Sequence, residues 1–266
     1  LIVGYRRWMT CDRGLAARTI GRYEQTARRF LSGRAAAAGG CGVEGLDGAA
    51  VNGFLLAEGS RGLGVGSVKG RVAELRSLLR YLHVAGHTAA GLVDAVPPVA
   101  GWRDTAIPPT MTPADVRCLL ASCDRSTSTG ARDYAMLTVI ARLGLRAAEV
   151  AGLVLGDLDW RAGEIVVRGK GRHQDRLPLP ADVGEAVAVY LSEHRPPAQS
   201  RTVFLTTVAP WRTLWSTAVS QMVWRQCGRA NVAPVRAHRL RHALASELLG
   251  QGVKLVDISQ VLRHRD

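Results

Sequence analysis

Hydrophobic residues along the chain recur mainly at helical spacing, and the breaks in that rhythm divide the chain into segments. From Ala17 onward, Ile20, Tyr23, Ala27, Phe30 and Leu31 fall on one stripe, which predicts an amphipathic helix with Thr19 as a candidate cap. Arg18, Arg22, Arg28 and Arg29 lie mainly off that stripe. The run AAAAGGCGVEG at 35–45 reads as a loop, a short helix is expected around Ala49–Ala57, and Gly62–Gly66 is a further break. Over Ser67–Ala85 the period is cleanest: Val68, Val72, Leu75, Leu79 and Leu82 share one face until Gly86 stops the helix. Pro97, Pro98, Pro108 and Pro109, with Gly101 between them, then predict a stiff, extended linker.

The second half restarts at Thr112-Pro113, a capping residue followed by proline at the first helical position, with Asp115 in the first turn. Tyr134–Leu143 is a strongly apolar helix broken at Gly144, so Arg146 emerges from a turn between two buried helices, with Glu149 one turn on. Glu164–Arg168 and Arg176–Leu179 read as strands flanking the turn formers GKGRHQD, a hairpin with Lys170 near its tip. Helices are expected over Asp182–Ser192, Ser216–Arg229 and Leu255–Leu262, and a short apolar run lies at Val203–Leu205. Between the last two helices, the stretch Arg236–Ser246 puts His238 and Arg241 on one face of a helix start, followed by Leu240, Leu244 and Leu248 at buried spacing. The fold class expected is mainly α with a small β-hairpin (α+β), in two domains: 1–95, a linker at 96–111, and 112–266.

Composition sharpens this. With 47% hydrophobic residues the chain can fill real cores, and 35 basic against 22 acidic residues give a net charge of +13 and a pI near 10.5. Such a balance points to a polyanionic partner, nucleic acid first, although coding bias toward arginine accounts for part of the excess. Five scattered cysteines form no CxxC pair, which argues against a disulfide framework or a zinc site and fits a reducing cytoplasm. No apolar run approaches membrane length and no signal peptide is evident. The first residue is Leu1 rather than Met, as in a fragment.

Several residues carry candidate chemistry. A guanidinium offers a fixed fork of donors that matches two phosphate oxygens, and an imidazole moves a proton near neutral pH, so Arg241 with His238 suits a phosphate; a solvated basic helix start is the plainer alternative. Arg146 and Glu149 are either part of such a site or a structural pair. Lys170 is one of only three lysines, with Lys69 and Lys254, in an arginine-rich chain, and lysine differs from arginine in that its pKa can be tuned down enough to give up a proton. An exposed hairpin lysine without a task is the other reading. Lys69, Arg71, Arg76 and Arg80 occupy the outer faces of the Ser67–Ala85 helix, where either a DNA backbone or solvent meets them.

In this order and spacing, GLRAAEV, the VVRGKG hairpin, HRLRHALAS and VLRH resemble the tyrosine recombinase family of phage integrases and Xer-type enzymes over nearly the whole chain. The resemblance implies that 1–95 is a helical SAM-like core-binding domain and 112–266 a catalytic integrase-like domain. It implies a site-specific recombinase that cleaves and rejoins DNA strands through a 3′-phosphotyrosine. Arg146 and Arg241 would hold the non-bridging phosphate oxygens, Lys170 would be the general acid, His238 would handle or position a proton, His264 would be a further phosphate donor, and Glu149 would orient its neighbours. No cofactor or metal is implied, the partners being double-stranded DNA and further copies of the chain, a tetramer on paired sites, with no small-molecule substrate and no membrane. The departure is the nucleophile: the family's tyrosine follows the position of His264, whereas the last tyrosine here is Tyr190. Residues 1–266 are therefore expected to bind DNA without cleaving it, through truncation, gene decay or a binding-only role such as a competitor of an active recombinase. Arg263, where the family often has glycine, is a smaller departure. A metal-dependent nuclease is disfavoured by the want of a carboxylate cluster.

Overall fold

The computed structural model describes residues 1–38, 42–88, 91–99, 111–169 and 173–263. They fall into two compact units, Leu1–Thr105 and Ala106–Asp266. The chain is mostly helical, with one small antiparallel sheet. No helix among the described residues is long and apolar enough to cross a membrane.

The first unit consists of α1 (Ile2–Cys11), α2 (Ala17–Ala38), α3 (Gly48–Gly59) and α4 (Val65–Val84). Its core takes Tyr5 and Met9 from α1, the α2 stripe of Ile20, Ala27, Phe30 and Leu31, Val51 and Leu55 from α3, and Val72, Leu75, Leu78, Leu79 and Leu82 from α4. Two local expectations are corrected. The α2 helix continues through 35–38, which had read as loop, because consecutive alanines are the strongest helix formers. Thr19 lies inside that helix rather than capping it. Val96 is buried in this core and Val99 packs against it, so packing reaches into the stretch expected to be linker.

Three glutamates are buried among these helices, and each is satisfied by arginines that reach over from the surface. Arg6 and Arg28 hold Glu24, the latter at 2.6 Å. Arg22 at 2.6 Å, Arg71 at 2.9 Å and the Thr26 hydroxyl at 2.6 Å hold Glu74. Arg29, Arg61 and Arg71 hold Glu58 at 3.4, 2.8 and 3.3 Å.

In the second unit, α5 (Pro113–Ala121) opens on the expected Thr112 cap, with Asp115 returning a bond to the Thr112 amide at 2.8 Å. The helix α6 (Ser128–Leu143), capped by Thr127, is the buried spine, with Ala135, Met136, Leu137, Val139 and Ile140 at or near zero exposure. It ends at Gly144, whose φ of +59° is left-handed, as a helix stop favours. A short helix α7 (Ala147–Gly152) follows, then β1 (Leu158–Asp159), β2 (Glu164–Arg168) and β3 (Gln174–Pro178) in sheet order β1-β2-β3. Ile165 pairs with Leu158 and Leu177, which sets the register and turns Ile165 and Val167 into the core. Next come α8 (Ala181–Val189), extended by a π-helical turn at Tyr190–His194, and then α9 (Ser216–Arg229), α10 (Ala237–Gly250) and α11 (Leu255–Val261). The two-residue strand β1 had no signal in the sequence pattern, and the third strand begins at Gln174, two residues before Arg176.

A side chain at Gly144 meets two obstacles, the left-handed backbone and the Leu262 Cδ2 atom, which would lie 2.6 Å from an added Cβ. Gly144→Ala is expected to destabilise the second unit by about 2 kcal/mol, combining left-handed strain with local repacking. Urea unfolding followed by far-UV circular dichroism measures this, and an unchanged midpoint would contradict it.

Candidate functional site

The turn at Gly144 delivers Arg146 to the start of α7, where its backbone amide donates to Glu149 Oε2 at 2.8 Å and its Nη1 donates to Glu149 Oε1 at 2.7 Å. Glu149 is buried, so its carboxylate is available to these donors and little to water. From the start of α10, Arg241 enters the same region with only 2% exposure. Its Nη1 donates to the Gly144 carbonyl and its Nη2 to the Leu262 carbonyl, while its Nε has no partner among the described residues. The turn after α11 contributes a third guanidinium: Arg263 donates from Nη2 to Glu149 Oε2 at 3.0 Å, and its own carbonyl accepts from Arg146 Nη2 at 3.3 Å.

The guanidiniums of Arg146 and Arg263 thus hold one carboxylate, and Arg241 lies near enough for the charges of all three to act on it. Burial pushes the Glu149 carboxyl up, but the Arg146 amide and guanidinium and the charge of Arg263 outweigh it and hold its pKa below the usual carboxylate value. Burial, then the charges of Arg146 and Arg263, bring Arg241 down to about 10, still cationic at neutral pH. The cluster therefore carries two positive charges in excess, with the buried Nε atoms of Arg241 and Arg263 unpartnered among the described residues. Charge of this sign and density is chemically complementary to a dianion or to a phosphodiester.

His238 sits one turn before Arg241 on α10, exposed, with its Nε2 3.0 Å from the Nε2 of His242. The sequence-predicted residues Arg146, Glu149 and Arg241 are thus brought together, with His238 on the helix that carries Arg241. Lys170 and His264 lie outside the described residues; the strands flanking Lys170 pair through Arg168 and Gln174, and the Gly169 amide donates to the His173 carbonyl at 2.8 Å. On α4, Lys69 and Arg80 are exposed, Arg71 is engaged by Glu58 and Glu74, and Arg76 donates to the Val96 carbonyl at 2.8 Å. Sequence reasoning did not assign His242, although its spacing from His238 was legible, and took Arg263 only as a departure.

The fold is shared with a solved λ integrase, described as a dimer bound to a COC′ core site, which matches with a TM-score of 0.72 at 16% identity, over 100% of this chain and 94% of that one. Residues 109–266 match the phage integrase family model, and the chain belongs to that family. The y4rA integrase/recombinase of Sinorhizobium fredii is 42% identical over 99% of this chain, which spans 64% of that relative's length. Tyrosine recombinase XerD of Listeria monocytogenes is 30% identical over 100% of this chain and 90% of its own.

A carboxyl whose folded pKa is depressed contributes stability that is present above its unfolded pKa and lost as pH falls through the folded value. The second unit is therefore expected to lose stability as pH drops through and below the ordinary carboxylate range, and Glu149→Gln should flatten that loss. At pH 7 the same substitution should cost about 2 to 3 kcal/mol, because Arg263 is left buried without its counter-charge. Denaturant midpoints of both proteins across pH 3–7 test this, and parallel curves would refute it.

Proposed function

We propose that the chain is the DNA-binding and phosphate-activating part of a site-specific recombinase. The reading is carried by one observation: the surplus cationic cluster of Arg146, Arg241 and Arg263 around Glu149, built on a fold whose family handles DNA strands. Arg146 and Arg241 would hold the non-bridging oxygens of a scissile phosphodiester. Lys170 would protonate the leaving 5′ oxygen, His238 would handle a proton of the nucleophile, and His264 would add a phosphate donor. Glu149 would fix the guanidiniums before DNA arrives, so that little reorganisation remains at the moment of reaction.

The nucleophile in this reading is a tyrosine that attacks phosphorus and leaves a 3′-phosphotyrosine, which the released 5′ hydroxyl can later displace. Tyr190 is unsuited to it: the residue is fully buried and stacked on Phe204, and burial raises its pKa. We therefore propose that residues 1–266 bind DNA and do not cleave it, the nucleophile coming from outside them. A binding-only protein that competes with an active recombinase is the second reading, favoured by the same buried tyrosine. Double-stranded DNA would be the partner, met by an oligomer, a tetramer on paired sites. Lys69, Arg71, Arg76 and Arg80 would meet the backbone, where a groove lined by Arg13, Tyr23, Arg76 and Arg80 favours anions.

The log of DNA affinity should fall linearly with the log of salt concentration, with a slope near −0.9 per phosphate neutralised; a flat dependence in fluorescence anisotropy would count against any DNA role. Reading the coding frame past Asp266 and incubating the full-length protein with a nicked suicide substrate tests the chemistry. A covalent adduct that falls by about a hundredfold or more in Arg241→Lys supports the recombinase reading, since one lost phosphate donor has an effect of that order. DNA binding without an adduct supports the competitor.

A further inference from the structure

Nothing in the scheme above uses His242, which follows Arg241 directly and lies one helical turn beyond His238. The buried neighbours Leu240, Arg241 and Ala243 fix this stretch of α10 in the core, so the outward imidazoles of His238 and His242 are held on one face of an anchored helix. Their rings stand edge to face, with centroids 4.4 Å apart and an interplanar angle of 77°, and the two Nε2 atoms approach to 3.0 Å. At that distance two N–H groups repel and so do two lone pairs. One nitrogen must carry a hydrogen and the other must accept it.

We propose that His242 is a positioning residue that sets the tautomer and ring orientation of His238, a role resting on the reading of His238 as a proton-handling group. When His242 donates, His238 accepts at Nε2 and carries its own proton on Nδ1. When His238 donates from Nε2, its Nδ1 is left as an acceptor. The state of the second nitrogen of His238 is thereby tied to the first through His242, as second partners of catalytic imidazoles generally do. A shared cation would be a different use of the same pair, but no grouping of three or more metal-ligating side chains occurs among the described residues.

The tautomer is read directly in residues 1–266 labelled with ¹⁵N, from long-range ¹H–¹⁵N correlations of the histidine rings in the parent protein, His242→Leu and His242→Gln. One protonated and one unprotonated His238 nitrogen are expected in the parent, averaging of the two in His242→Leu, and recovery in His242→Gln, whose amide can again donate or accept. Identical His238 nitrogens in the parent and His242→Leu would overturn the pairing. In the full-length recombinase, His242→Leu should lower the rate of strand cleavage about tenfold with DNA affinity unchanged, and His242→Gln should recover most of it, a modest part of the range over which positioned proton transfer acts. Cleavage unaffected by His238→Ala would overturn the role of His238 itself, a failure distinct from unchanged ring nitrogens.

Discussion

Arg241 is a full guanidinium with almost no access to water, and such a group is tolerated only when its donors are met. Its Nη1 and Nη2 meet main-chain carbonyls of Gly144 and Leu262, 97 and 21 residues away in sequence, and only Nε is left over among the described residues. One side chain thereby ties the end of α6, the start of α10 and the end of α11 to a single point. The left-handed stop at Gly144 is a condition of this arrangement, since it turns the carbonyl toward α10 and at once redirects the chain so that Arg146 faces Glu149. The surplus positive charge is a by-product of satisfying a buried cation with neutral acceptors: carbonyls remove the cost of the Nη N–H groups and leave the charge in place.

The first unit follows the opposite rule. There the arginines are mostly at the surface and the buried groups are Glu24, Glu58 and Glu74. Each carboxylate collects two or more guanidiniums, so the arginines are held in place by the fold itself. Individual surface pairs contribute little to stability, but a guanidinium held by a buried carboxylate loses less side-chain entropy on meeting a phosphate than one free in solvent. Arg71, shared between Glu58 and Glu74, shows how such a residue serves packing and charge together.

Much of this is legible in the sequence. The helix Ser216–Arg229 and the strand Glu164–Arg168 lie where hydrophobic period and turn residues put them, and the Thr112 cap is a local signal that needs no tertiary information. Arg146 and Glu149 are readable as a pair because a charged residue embedded in apolar runs requires a partner, and His238 and Arg241 through their three-residue spacing at a helix start, with their roles supplied by the family resemblance. The misses share a cause. The helix Ile2–Cys11 is short, starts without a side-chain cap and is held by burying Tyr5 and Met9 against other helices. The strand Leu158–Asp159 exists only through its pairing with Ile165 and Glu164. Arg263 reaches Glu149 across 114 residues from a turn with left-handed backbone, which no local pattern encodes.

That turn gives position 263 an unusual balance. An arginine with φ of +53° carries about 1 kcal/mol of backbone cost that glycine would not, and it recovers a comparable amount through its bond to Glu149. The strain is thus tolerated only while Glu149 supplies its counter-charge to the buried guanidinium. A change at Glu149 would remove the compensation and leave only the strain, so the conformational cost of position 263 is set by a residue 114 positions away.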